Sequence, residues 1–78
     1  MIKICEEAIQ RYKSAFGDRL QELLINEKSL LQWCNKHNIP HATVTNWINK
    51  RSLPSIEYFV ELAKEFGVTI DYLIGLED

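Results

Sequence analysis

The sequence predicts an all-α fold, a compact bundle of five helices with an additional helical segment at the N-terminus. Three observations carry this. Apolar residues recur at spacings of three and four along most of the 78 residues, no strand-like alternation persists beyond a few positions, and only three Gly and two Pro interrupt the pattern. A chain of this length is one domain near the lower limit for a core without disulfides or metal, so every helix must help bury the others.

Taken in order, the first helix is expected over residues 2–14, with Cys5, Ile9 and Tyr12 in a stripe that stays in phase to Phe16. Gly17 permits a bend or break there, so residues 1–15 read as a helical extension and 16–78 as the domain proper. A helix over about 16–26 follows and presents Phe16, Leu20, Leu23 and Leu24. Ser29 then acts as N-cap, and Gln32 three residues on completes an S-x-x-Q box in which each side chain bonds the other residue's backbone N–H. Leu30, Trp33, Cys34 and His37 form the buried stripe of this helix. Asn38 suits the left-handed residue that ends it, and Ile39 and Pro40 leave a very short connection before a helix starting near residue 41. The two helices around this turn span about 29–37 and 41–50. Downstream, Ile56, Phe59, Leu62, Ala63 and Phe66 stripe a helix that Gly67 stops. Thr69 caps a last helix that carries Asp71 at its positive dipole end and is pinned by Ile70, Leu73 and Ile74.

Charge is partitioned along the chain. The formal net charge is −2, yet all eleven acidic residues lie outside residues 28–56, which hold Lys28, Lys36, Lys50 and Arg51. The centre is a positive island in an acidic surround. Cys5 and Cys34 stand far apart with no CxxC spacing, which disfavours a disulfide framework. No leader segment is recognised and charged residues interrupt every apolar run, so a cytoplasmic protein that does not span a membrane is expected.

The helix "HATVTNWINK" is the informative one. Val44, Trp47 and Ile48 define an inner face, while Ala42, Thr45, Asn46 and Asn49 cluster opposite, with His41 and Thr43 at the margins. That outer face is short, polar and uncharged. A helix shaped only for solubility would carry Glu and Lys there, and Thr and Asn are poor helix formers, so their presence points to hydrogen bonding with a partner. Asn pairs bidentately with adenine N6 and N7, Ala and Thr methyls pack on thymine methyls, and His donates to guanine, in a major groove that admits a helix.

Cys34, His37 and His41 have a spacing that suggests zinc. The reading fails on three counts: Cys34 is needed at the helix crossing, no fourth ligand stands nearby, and Cys5 belongs to a separate element. Catalysis is also not expected, since no Ser/His/acid set is visible and neither histidine has a carboxylate close in sequence. No cofactor is assigned.

"SLLQWCNKHNIPHATVTNWINKRSLPSIEYFVELAKEFGVTIDYLIG" resembles the helix-turn-helix domain of the Cro/repressor (Xre-type) family of bacterial and phage transcription regulators. The resemblance covers about residues 16–76. Its pattern of a small residue in the first motif helix, a turn residue, an apolar residue and two core positions in the second helix falls on Cys34, Asn38, Ile39, Val44 and Trp47. Four positions depart from it, one of them Lys28, which replaces an apolar residue. Lys50 stands where the family usually has Gly, Leu30 where many members have a DNA-contacting Gln, and Ile48 where many have Glu.

The resemblance implies a phage-repressor type fold and sequence-specific binding of double-stranded DNA by a transcriptional repressor. His41, Ala42, Thr45 and Asn46 are expected to read base edges, and Ser29, Thr43, Asn49, Lys50 and Arg51 to hold phosphates. A homodimer is expected, through the last helix with Tyr72, Ile74 and Leu76, through the N-terminal helix, or near Tyr58. The alternative is a protein-interaction module, antitoxin-like or adaptor, with weak or no DNA binding and a protein as its partner.

Overall fold

The computed structural model describes residues 5–77, and among them all regular structure is helical. Five helices follow in order: α1 (Glu6–Leu23), α2 (Leu30–Lys36), α3 (His41–Ile48), α4 (Ile56–Phe66) and α5 (Ile70–Leu73). The all-α expectation holds. The expected break at Gly17 does not occur, because α1 runs through it as one helix and ends at Leu23 rather than near residue 26. The predicted helix start at residue 2 lies outside the described residues.

Packing explains why α1 continues. Gly17 is buried, and a Cβ there would stand 2.9 Å from the carbonyl oxygens of both Trp47 and Ile48. The missing side chain lets α1 lie directly against the end of α3, its most extensive helix partner. A mid-helix glycine costs roughly 0.5–1 kcal/mol relative to alanine. The close contact offsets that cost, and the apolar phase through Phe16 and Leu20 is unbroken.

The core is the sum of the stripes. Phe16 and Leu20 of α1, Cys34 of α2, Val44 of α3 and Leu73 of α5 are fully enclosed, with Trp33, Trp47, Phe59 and Leu62 around them. Phe16 is the hub: its ring meets Trp47 edge-on at 5.9 Å and Phe59 at 5.2 Å between centroids. On the other side of α2, Trp33 is covered by Phe66 in a near-parallel stack at 5.9 Å and by the His37 ring at 4.7 Å. Such aromatic pairs add about 0.5–1.5 kcal/mol beyond area burial, a sizeable share of the stability of so small a domain. Cys34 fills the crossing where a larger side chain would hold α2 away from α3.

The helices from α2 onward end alike. Asn38, Lys50, Gly67 and Gly75 adopt left-handed φ of 57°, 66°, 66° and 84°, and the residue after each returns its N–H to a carbonyl in the last turn. These are Schellman closures, which satisfy carbonyls the helix leaves open. Where Asn49 or Lys50 could have supplied the left-handed residue after α3, the structure uses Lys50, and Asn49 keeps φ −80°. The N-termini follow the expected caps at Ser29 and Thr69, whose hydroxyls accept from the Gln32 and Tyr72 amides at 3.3 and 3.0 Å. The box at α2 is half closed: Gln32 is exposed, and among the described residues its side chain makes no return bond to Ser29.

Candidate nucleic-acid interface

The turn between α2 and α3 sets the geometry of the candidate site. Asn38 leaves α2 left-handed, Ile39 donates its N–H to the Cys34 carbonyl at 2.9 Å and tucks its side chain into the core, and Pro40 precedes α3 with φ −58°. Only Asn38, Ile39 and Pro40 separate His37, the cap of α2, from His41, the first residue of α3. A connection this tight fixes the angle of α3. Val44 at 0% exposure and Trp47 at 2% anchor its inner face, and Ile48 joins them half-buried.

The residues expected to read bases share that helix. His41 and Ala42 are exposed at its start, while Thr45 and Asn46 are half-buried on its flank with Thr43. Ala42, Asn46 and Asn49 fall at i, i+4 and i+7, so they align along one side of α3, and Asn49 is exposed at its end. No carboxylate occurs on α2, the turn or α3 themselves, and those that approach them, Asp18 at Lys50 and Glu65 at His37, come from α1 and α4.

The residues expected to hold phosphate are distributed less simply. Arg51 is exposed immediately after α3. Ser29 is half-buried at the start of α2, its oxygen already accepting from Gln32. Lys50 turns away from the outer face of α3: its Nζ lies 2.9 Å from an Asp18 carboxylate oxygen on α1. Around Ser29, a hollow is lined by Asn26, Glu27, Lys28, Gln32, Trp33 and Lys36, which sets two exposed lysines and one exposed carboxylate beside the cap. The charge island pointed to Lys28 and Lys36. Gln32 and Asn26 carried no sequence signal beyond capping and turn roles.

The suggested metal set lies in three different settings. Cys34 is enclosed in the core, where burial raises its thiol pKa, His37 is stacked on Trp33, and His41 is exposed across the turn. Among the described residues no group of three His, Cys, Asp or Glu is placed to share an ion. One feature escaped the sequence: His37, without a carboxylate close by in the chain, has one in space. Its Nε2 is buried 3.4 Å from a Glu65 oxygen of α4, within ion-pair range but outside hydrogen-bond geometry. The small cavity beside this pair, about 170 Å³, is lined by Trp33, Ile39, Tyr58, Glu61 and Leu62. It lies between α2 and α4, away from the outer face of α3.

Among the described residues no helix is long and apolar enough to cross a membrane. Neither the curated proteins nor the solved structures give a significant match. A family model does match: that of the bacteriophage CI repressor helix-turn-helix domain, over residues 7–78, a span that begins inside the segment expected to be an extension. With nearly the whole chain matched and the helix, left-handed turn and helix in place, the protein belongs to the bacteriophage CI repressor helix-turn-helix family, a non-enzymatic DNA-binding family of transcription regulators.

Proposed function

We propose that this protein is a sequence-specific transcriptional repressor that inserts α3 into the major groove of its operator. The observation that carries the reading is the outer side of α3. It is a line of short, uncharged, hydrogen-bonding and methyl-bearing side chains on a helix locked from behind by Val44 and Trp47. His41, Ala42, Thr45 and Asn46 read base edges. Thr43, Asn49 and Arg51 hold phosphates beside the groove, as does Ser29 at the start of α2, and Lys50 joins them once it leaves Asp18.

One such helix spans only a few base pairs, so the working unit is a homodimer on half-sites about 34 Å apart. Its contact surface is best supplied by the end of α5 and the residues after it, where Leu76 is 62% exposed beside half-buried Tyr72 and Ile74. The test is selection of bound sequences from a random duplex pool, followed by footprinting. A recovered inverted repeat with half-sites one helical turn apart supports the reading, and an unenriched pool defeats it.

A second reading, a module that holds a protein partner, has one observation in its favour. Ile25, 78% exposed, lines a hollow with Leu24, Leu30 and Ile48 and the polar residues Asp18, Gln21 and Glu22. A salt titration with random DNA separates the two. Affinity falling steeply with salt marks phosphate contact, and absent binding at low salt favours the protein partner.

A further inference from the structure

Three features of the α1–α3 contact converge on one side chain. Lys50 is left-handed at φ 66°, which aims its side chain back toward α1 instead of onward from α3. Gly17 leaves room for it: a Cβ there would sit 3.1 Å from Lys50 Cγ, so the lysine stem passes close over the helix at this point. Asp18 closes the arrangement by taking the ammonium at 2.9 Å. The neighbouring cation Arg51 is exposed and, among the described residues, forms no ion pair.

We propose that Asp18 is an internal stand-in for a DNA phosphate, holding Lys50 in reserve and lowering the affinity of the free protein for DNA of any sequence. The proposal rests on the DNA-binding reading above and concerns how that same surface is regulated. Its physical basis is competition for one ammonium. The pair is a surface one, with side chains 39% and 60% exposed, so it is weak and solvent-screened and a duplex phosphate can displace the carboxylate. Every complex that recruits Lys50 must first break this pair, so Asp18 lowers operator and nonspecific affinity alike.

The experiment is a salt titration of the full chain with a random-sequence duplex, comparing wild type, Asp18→Asn, Lys50→Gln and the double variant. Asp18→Asn is expected to tighten low-salt binding about two- to fivefold, the range set by a surface ion pair. It is also expected to steepen the dependence of log K on log salt by about 0.9, one added phosphate contact. In the Lys50→Gln background the Asp18→Asn gain should vanish. An equal gain in that background would show simple repulsion between Asp18 and DNA and overturn the proposal, as would no gain in either. Wild type that binds no duplex at low salt would defeat the DNA reading itself, a different result from an unchanged Asp18→Asn on a protein that binds.

Discussion

Gly17 and Trp47 meet backbone to backbone: the α-carbon of one lies so close under the carbonyl of the other that a Cβ would approach the oxygen to 2.9 Å. This contact joins the helix that carries the Phe16 hub to the end of the helix expected to read DNA. Replacing Gly17 by alanine gains roughly 1 kcal/mol of helix propensity. It also drives a methyl into two carbonyl oxygens that belong to backbone and cannot rotate away. Overpacking of this kind costs typically about 1–3 kcal/mol, so Gly17→Ala is expected to be net destabilising despite the better helix former. Urea denaturation checks this by a lower midpoint at unchanged slope.

The left-handed Lys50 gives the opposite sign. A non-glycine residue at φ 66° carries about 1 kcal/mol of strain that glycine relieves, while the exposed pair with Asp18 contributes less than that. Lys50→Gly is therefore expected to raise stability by about 0.5 kcal/mol. Thermal unfolding should show a higher midpoint, and a lower one would mean that the bond to Asp18 outweighs the backbone.

The two cysteines should differ sharply as nucleophiles. Cys5 is exposed at the start of α1, where the Ala8 and Glu7 amides lower its thiol pKa. Cys34 is enclosed, and burial raises its pKa. Because the thiolate reacts, Cys5 should be alkylated quickly at neutral pH and Cys34 only on a timescale set by opening of the core. Timed iodoacetamide labelling read by mass spectrometry should show one fast and one protected thiol, and denaturant should abolish the difference.

Removing the helix cap at Ser29 tests the start of α2. Ser29→Ala deletes the oxygen that accepts from the Gln32 amide and should cost about 1 kcal/mol. Because the return half of the box is not formed, Gln32→Ala should cost little. Equal losses for the two substitutions, measured by denaturation, would show that the box closes in solution.

What the sequence disclosed was local. The boundaries of α2 and α3 follow from Ser29, Asn38 and Pro40, residues whose backbone preferences act within one turn, and the core stripes follow from periodicity. The misses depend on what packs opposite. Whether Gly17 breaks a helix or admits a neighbour is decided by the Trp47 and Ile48 carbonyls, far along the chain. Asp18 and Lys50, and likewise His37 and Glu65, are distant in sequence, so neither pair had a periodic signature. The outer side of α3 was legible as composition. That Thr45 and Asn46 are half-buried while Ala42 and Asn49 are exposed required the fold.

The central claim is that α3 reads sequence while its flanks hold backbone, and paired substitutions on a selected operator and a random duplex test it most directly. Asn46→Ala is expected to cost about 1–3 kcal/mol on the operator, relax preference at one base pair, and leave random-duplex binding nearly unchanged. Arg51→Ala should weaken both by similar factors and reduce the salt slope by about 1. Operator affinity that survives both substitutions intact would contradict the account and remove this face of the protein from DNA recognition.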